Sequence, residues 1–196
     1  MRKSMVLVLV LVLAFSFTAA GQQTPVQGGT FRYGITVNPR GMFNPILNTE
    51  VYDGYIIDQV FDGLIYIDSH LEPQPKLAES WEISDDGLSI TFYLHKGVKF
   101  HDGVELTAKD VEYTYLTILH PEYTGVRYGD FKVLVGAEDY KGGNALEVPG
   151  IEVIDDYTIK FSTAQPYAPL LVSFTYGILP SHLLAQTPVG ELETLA

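Results

Sequence analysis

Histidines are the side chains of this chain that could hold a metal ion. Five are present; His95 and His101 are six residues apart, and no two have the i, i+4 spacing that brings both rings onto one helix face. The chain contains no cysteine, so thiolate ligands, thiol catalysis and disulfides are excluded. The sequence therefore predicts no metal site.

Two aspartate pairs, Asp85-Asp86 and Asp155-Asp156, could be read as the carboxylates of a glycosidase. Each pair lies between two short apolar runs, where aspartate is favoured because its side chain accepts hydrogen bonds from the turn backbone. The sequence has no GxSxG elbow, and its glycine pairs are not followed by a phosphate-binding pattern. We therefore predict turns at both pairs, no catalytic residue and no cofactor.

Tyrosine is abundant, with 13 residues in the chain. Aromatic side chains suit solute capture, because they offer a large contact area with little loss of conformational entropy and a polar tip. We expect Tyr123 or Tyr128, or both, to contact a ligand. The alternative is that Tyr115 lies in the core and the other tyrosines of the region are ordinary surface aromatics.

Two hairpins and one helix are predicted from local patterns. Residues 88–94 alternate between apolar and polar side chains after an Asp86-Gly87 turn, which is typical of a strand with one buried face. A second hairpin, 151–161, repeats this pattern. Thr107 and Asp110 have the spacing of a capping box and predict a helix that ends near Leu119. Its expected buried residues are Val111, Tyr115, Ile118 and Leu119.

The remaining elements are predicted with weaker signals. The intermixed strands and helices predict an α/β or α+β fold with a mixed sheet. The sequence indicates a strand over Thr30–Val37, a helix over Tyr52–Phe61 closed by a left-handed Gly63, a strand over Leu64–Ile67, an irregular segment over 121–150 and a short helix over Pro169–Phe174.

The N-terminus is typical of a cleaved secretory signal peptide. Arg2 and Lys3 precede an apolar run, Met5–Phe17, and cleavage is expected after Ala20. The run is shorter than the about 20 residues that a membrane-spanning helix needs. Without cysteine, no lipid anchor can form. We therefore expect a protein that is secreted to the periplasm or another extracytoplasmic space.

The chain is strongly acidic. Its formal charge of −12 falls to about −14 once Arg2 and Lys3 are removed with the signal peptide. Such a surface repels phosphate backbones, and no cluster of lysine and arginine compensates for it. Nucleic acid is therefore not an expected partner.

Several segments resemble a known family when they are read in order. LAESWEISDDG at 77–87, ITFYLHKGVKFHDG at 90–103 and LTAKDVEYTY at 106–115 are similar to the signature region of bacterial extracellular solute-binding proteins of family 5. Further resemblance lies at 28–45, 61–68, 151–171 and 178–184. His95 departs from the pattern, because the family more often has a basic residue there.

The resemblance implies a fold and a domain organisation. It implies an α/β (mixed α+β) fold of the two-lobed, type II periplasmic-binding-protein class. The expected division is a signal peptide at 1–20, a first segment of lobe one at 21–66, an inserted subdomain at 67–177 and a return to lobe one at 178–196. Because family members are much longer, the chain is expected to be an N-terminal fragment without lobe two.

The resemblance also implies a function. It implies a non-enzymatic protein that captures a peptide or other small solute and delivers it to the permease subunits of an ATP-driven (ABC) importer. An oligosaccharide-binding member of the family, a secreted hydrolase and a structural secreted domain are the alternatives. The expected ligand loop, Val37–Asn44, follows the first strand, and its expected contact residues are Val37, Asn38, Pro39, Arg40 and Gly41.

Overall fold

The computed structural model describes residues 28–30 and 32–195. The chain divides into two compact units, Met1–Gly34 and Ile35–Ala196. The predicted signal peptide, residues 1–20, lies outside the described residues. In the described part of the first unit, the backbone forms neither helix nor strand. None of the described helices is long and apolar enough to cross a membrane.

The second unit combines short helices with antiparallel strands. Its elements have these bounds: α1 Val51–Ile57, β1 Ile65–Ile67, β2 Pro73–Pro75, β3 Ala78–Ile83, β4 Ser89–Leu94, α2 Ala108–Leu119, α3 Tyr128–Phe131, α4 Ala137–Lys141, β5 Ile151–Asp155, β6 Thr158–Ser162 and α5 Ser181–Leu184, with 3₁₀ helices at Ala168–Thr175 and Val189–Leu195. This mixture of helix and sheet agrees with the predicted fold class.

A four-stranded antiparallel sheet organises this unit, with the spatial order β3, β4, β6, β5. Both predicted hairpins are confirmed, and Ile90, Phe92 and Leu94 form the buried face of β4. The predicted mixed sheet is wrong for the described residues, because every strand pair there is antiparallel. The short turn within each hairpin allows only the antiparallel arrangement of its two strands.

Helix α2 begins at the predicted capping box. The Asp110 carboxylate accepts a hydrogen bond from the Thr107 amide at 2.9 Å, and its other oxygen accepts from the Ser181 amide and hydroxyl at 3.0 and 2.7 Å. The Thr114 hydroxyl accepts from the Leu179 amide at 2.9 Å. The helix therefore holds the segment before α5 through buried polar side chains, which are costly to leave without partners.

Aromatic rings fill the centre of the core. The Phe174 ring lies 4.5 Å from Phe161 and 4.7 Å from Phe92, and Tyr115 lies 4.8 Å from Phe131. All five side chains are fully buried. Pairs of this kind contribute about 0.5–1.5 kcal/mol each beyond the burial of their area. The cluster joins the sheet, α2, α3 and the first 3₁₀ helix, and it confirms the predicted burial of Tyr115.

The predicted strand over Thr30–Val37 is wrong for its described residues. Residues 30 and 32–37 have no strand pairing in the part of the chain that the structure describes. The alternating pattern does not give a buried face either, because Tyr33 and Val37 are 64% and 54% exposed. An alternating segment becomes a strand only when a neighbouring strand accepts its backbone hydrogen bonds.

Two further predictions need correction. Helix α1 ends at Ile57, earlier than predicted, and Gly63 does not have the expected left-handed conformation. Residues 121–150 are not irregular throughout, because they contain α3 and α4, and Phe131 and Ala137 within them are fully buried. These helices have only four and five residues, so the periodicity that predicts longer helices is absent from their sequences.

The buried hydroxyl of Tyr115 gives a test of the core. This oxygen has no hydrogen-bond partner among the described residues, and burial raises its pKa well above the usual value. Since burying an unpaired hydroxyl costs about 1–3 kcal/mol, Tyr115→Phe is expected to raise the free energy of unfolding by about 1 kcal/mol in urea denaturation.

The matched control is Tyr123→Phe. The Tyr123 hydroxyl donates to the carbonyl of Ile46 at 2.5 Å, so its loss leaves a buried acceptor unpaired and is expected to lower stability by about 1–2 kcal/mol. A loss of stability in Tyr115→Phe equal to that of the control would contradict the assignment of an unpaired hydroxyl.

Candidate functional site

A cleft of about 530 Å³ opens beside β1. This volume lies in the range of small-molecule sites. Its lining comes from the loop before α1, from α1 itself, from β1 and from residues 175–177 at and after the end of the first 3₁₀ helix. The residues that bear on its chemistry are Asn48, Asp58, Asp62, Lys76, Arg127 and Tyr176.

The cleft depends on two close backbone approaches. The Leu64 amide donates to the carbonyl of Phe174, and the Ile178 amide donates to the carbonyl of Asp62, both at 3.0 Å. A Cβ atom at Gly63 would lie 2.5 Å from the backbone of Thr175, and one at Gly177 would lie 2.5 Å from the Cβ of Phe61. Glycine is therefore required at position 63 because a side chain would clash with the backbone of Thr175, and not because of the predicted left-handed conformation.

Arg127 is the half-buried cation of the cleft wall. Its Nη2 donates to the backbone carbonyl of Asn48 at 3.1 Å. The guanidinium carbon lies 4.6 Å from the centre of the Tyr176 ring, a distance typical of a cation–π contact. Its Nε is buried without a hydrogen-bond partner among the described residues.

Tyr176 connects this arginine to a carboxylate. Its hydroxyl donates to Asp130 Oδ2 at 2.7 Å. Burial and the hydrogen bond to Asp130 raise the pKa of Tyr176 to about 12, although the charge of Arg127 acts in the opposite direction. The phenol therefore stays neutral and donates at physiological pH.

Lys141 holds the loop that carries Arg127. Its ammonium group donates to the carbonyls of His120, Pro121 and Tyr123 at 2.8, 3.3 and 2.9 Å. It also lies 5.6 Å from the ring centre of Tyr123 and 5.4 Å from that of Tyr128. Partial burial lowers the pKa of this lysine. One side chain thus joins the end of α2 to the loop that leads to Arg127.

The predicted ligand loop lies beside α1. Val37, Asn38 and Arg40 are exposed, and Pro39 and Gly41 are half-buried. The Gly41 amide, at a φ of +93°, donates to the carboxylate of buried Asp53 at 3.2 Å. Arg40 forms an ion pair with Glu50 at 2.8 Å. None of the five residues lines the cleft, so their contact with a ligand stays a prediction.

The two predicted tyrosines have different environments. Tyr123 is buried, with 6% of its surface exposed, and its hydroxyl is bound to the main chain of the loop before α1. Tyr128 is half-buried under Lys141. Neither ring lines the cleft, but both flank the loop that carries Arg127. Their role as ligand contacts is therefore also still a prediction.

One aspartate of each predicted pair and His182 have structural partners. Asp86 accepts hydrogen bonds from Ser84 and Leu88, which lower its pKa, and Asp155 accepts from Tyr157 and Thr158, so both predicted turns are confirmed. The His182 ring lies 2.6 Å from Asp102 and lowers the pKa of that carboxyl. In the described residues, no three histidine or acidic side chains are arranged to hold a metal ion.

Sequence reasoning missed the cleft residues Asn48, Arg127 and Tyr176. The chain has only four arginines, and Arg127 stands in the tyrosine-rich stretch that the sequence does single out. An isolated arginine among aromatic residues in an acidic chain is the available signal. Asn48 and Tyr176 give no such signal, because their positions in the cleft depend on packing between distant segments.

Comparison with known proteins places this chain among binding proteins. Residues 72–191 match the profile described as "Bacterial extracellular solute-binding proteins, family 5 Middle". The chain is 34% identical to the oligopeptide-binding protein AppA of Bacillus subtilis over 169 residues, which covers 86% of this chain and 29% of AppA. It is 32% identical to the dipeptide-binding protein of Escherichia coli over 182 residues, covering 87% and 32%.

A solved structure has the same fold. The crystallised AppA of Bacillus subtilis, in complex with a nonapeptide, superposes with a TM-score of 0.65 at 31% identity, over 78% of this chain and 28% of that one. The chain therefore spans about 30% of the length of the proteins it matches.

Replacement of Lys141 tests how the Arg127 loop is held. Lys141→Met keeps the length of the side chain but removes the donors for three carbonyls. We expect the free energy of unfolding to fall because three carbonyls lose their donor. The expected loss is only about 1–2 kcal/mol, because the lysine is partly exposed and water screens its charge. Hydrogen exchange of the amides in 120–127 should become faster.

The matched control is Lys132→Met in the same segment, where the lysine is exposed and makes none of these bonds. It is expected to change both quantities little. Equal exchange rates in the two variants would show that the loop is held by other contacts.

Proposed function

Because this chain belongs to family 5 of the bacterial extracellular solute-binding proteins, we propose that the protein captures a peptide outside the cytoplasm and delivers it to an ATP-driven (ABC) membrane importer. The family consists of solute-binding proteins, so the proposed activity is capture and release rather than catalysis. The match over residues 72–191 is the observation that carries the proposal.

Peptide is the proposed solute class for two reasons. The similar proteins include an oligopeptide-binding protein and a dipeptide-binding protein, and one was crystallised with a nonapeptide. The cleft beside β1 has the volume of a small-molecule site, and its lining includes an amide side chain, an arginine and aromatic rings. An extended peptide can be held by such groups while its side chains vary.

The proposed location and partners follow from the sequence. Residues 1–20 are proposed to direct export and then to be removed, and the absence of cysteine rules out a lipid-modified cysteine in this chain. The protein is proposed to act in the periplasm or another extracytoplasmic space and to dock on the permease subunits of the importer. The acidic charge supports no role in nucleic-acid binding.

The proposed domain organisation keeps lobe one at 21–66 and 178–196 with the subdomain 67–177 inserted. Both internal boundaries fall inside the second unit, Ile35–Ala196. Asp110 and Thr114 of the proposed subdomain bind the backbone of 179–181, so the return to lobe one would pack closely against the inserted part.

The proposed ligand contacts are the cleft and the loop Val37–Gly41, with Tyr123 and Tyr128, which flank Arg127 in the sequence. Because Gly41 is anchored to Asp53, the carbonyls and amides of the exposed residues before it are held near α1. Backbone groups of this kind, which no neighbouring strand uses, can accept and donate hydrogen bonds to a peptide.

Titration calorimetry of the full-length protein tests the proposed function. Trialanine and longer oligopeptides are expected to bind saturably, and peptides are expected in the mass spectrum of material that co-purifies with the protein. Maltotriose serves as the matched sugar probe. Binding of the sugar without binding of peptides would favour the oligosaccharide alternative, and turnover of either probe would favour a hydrolase.

Replacement of Gly41 tests the proposed loop. Gly41→Val places a β-branched residue at a φ of +93°, which costs about 1–2 kcal/mol of stability. If the loop holds the peptide, the shifted backbone should also weaken binding by about 1–3 kcal/mol, the scale of a lost buried hydrogen bond. Calorimetry and thermal melting of the full-length protein measure the two effects separately.

Gly97→Val is the matched control for backbone strain. Gly97 has a φ of +76° and, like Gly41, has open space where a Cβ atom would lie, but it belongs to the turn after β4. The Gly97→Val variant should lose similar stability and keep its affinity. Equal affinities of the two variants would place the loop 37–41 outside the ligand site.

A further inference from the structure

Arg127 has more hydrogen-bond donors than the protein uses. A guanidinium group carries five N–H donors. Nη2 donates to the carbonyl of Asn48 at 3.1 Å, and a hydrogen bond from the guanidinium to the Tyr176 hydroxyl acts to lower the pKa of that tyrosine. Nε is buried without a hydrogen-bond partner among the described residues. The side chain lines the cleft, so the terminal N–H donors that these bonds leave over lie where a solute can reach them.

No carboxylate forms an ion pair with this arginine among the described residues. The ion pairs there use the other cations near the site, since Arg40 pairs with Glu50 and Lys76 pairs with Asp62. The Asp130 carboxylate accepts a hydrogen bond from the Tyr176 hydroxyl. A partly desolvated cation without a counter-ion is costly. Binding of an anion would remove this cost.

The guanidinium group is also fixed in orientation. The ring of Tyr176 covers one face, and the Asn48 carbonyl binds one edge. Asn48 itself is held, because its side chain exchanges hydrogen bonds of 2.9 Å with the amide and carbonyl of Glu50. A planar fork that is held in place loses little entropy when it binds a planar carboxylate through two parallel hydrogen bonds.

We propose that Arg127 binds a carboxylate group of the captured solute, an inference that rests on the proposed function. For a peptide, this group is either the C-terminal carboxylate or an acidic side chain. A carboxylate fits better than a phosphate dianion, because Asp58 and Asp62 line the same cleft and repel the larger charge. Tyr176 acts as the platform that keeps the guanidinium in the cleft wall.

Calorimetry with three peptides separates the two sources of the carboxylate. The probes are trialanine, trialanine amide and Ala-Glu-Ala amide, titrated into the full-length protein and its Arg127→Gln variant. A C-terminal contact predicts that trialanine binds about tenfold or more tightly than its amide. A side-chain contact predicts the same advantage for Ala-Glu-Ala amide over trialanine amide.

Variants of Arg127 test whether this residue causes the preference for a carboxylate. Arg127→Gln is expected to abolish the observed preference, and Arg127→Lys to keep part of it, because lysine retains the charge but not the fork. The matched control is Lys132→Gln, which also removes one positive charge but at an exposed position at the C-terminal end of α3. This variant should keep the full preference. A preference that survives in Arg127→Gln, or no preference in the parent protein, overturns the inference.

A second readout does not depend on peptide binding. In protein labelled with ¹⁵N-arginine, the Nε–H signal of Arg127 is identified by its loss in Arg127→Gln. Butyrate should shift this signal and butyramide should not. If butyrate acts but no peptide binds, the proposed function fails and the carboxylate site stands. If peptides bind and neither butyrate nor the variants have an effect, the site fails and the function stands.

Discussion

The position of Phe174 in the core is the constraint on which the fold and the cleft depend. Its buried ring contacts Phe92 and Phe161 of the sheet and Phe131 of α3. Because close-packed rings allow little movement, the chain leaves the core at a fixed point. The carbonyl of Phe174 binds the Leu64 amide, and Tyr176 follows two residues later. The cleft wall is therefore set by core packing.

Polar side chains that are buried or partly buried hold two segments in place, the backbone after the cleft wall and the loop that leads to Arg127. Asp110 and Thr114 bind the backbone after the cleft wall, and Lys141 binds three carbonyls of the loop that leads to Arg127. A buried polar group that loses its partner costs about 1–3 kcal/mol. These ties therefore favour one arrangement of the loop and the wall, which keeps the guanidinium against Tyr176.

The elements that can be predicted from the sequence are those determined by neighbouring residues. The two hairpins follow from alternation and aspartate turns, and α2 follows from its capping box and its apolar face. The predicted strand over Thr30–Val37 is wrong because alternation does not reveal a pairing partner. The role of Gly63 escapes prediction because it depends on Thr175, more than 100 residues away in the chain. The tyrosine-rich stretch indicates the region of the site, but Asn48, Arg127 and Tyr176 meet only through the fold.

The charge of the protein determines how a carboxylate could be selected. The chain is acidic overall, with a formal charge of −12, so long-range attraction does not steer an anion toward the cleft. At physiological ionic strength, charges are screened over about 8 Å. The acidic surface therefore repels an anion only weakly at longer distances. Selection must therefore arise at contact, where the fork of Arg127 is held by Tyr176 and Asn48. Contact selection acts mainly on the dissociation rate. Every unmodified peptide ends in a carboxylate. A guanidinium group that binds this carboxylate would therefore retain peptides with any side chains.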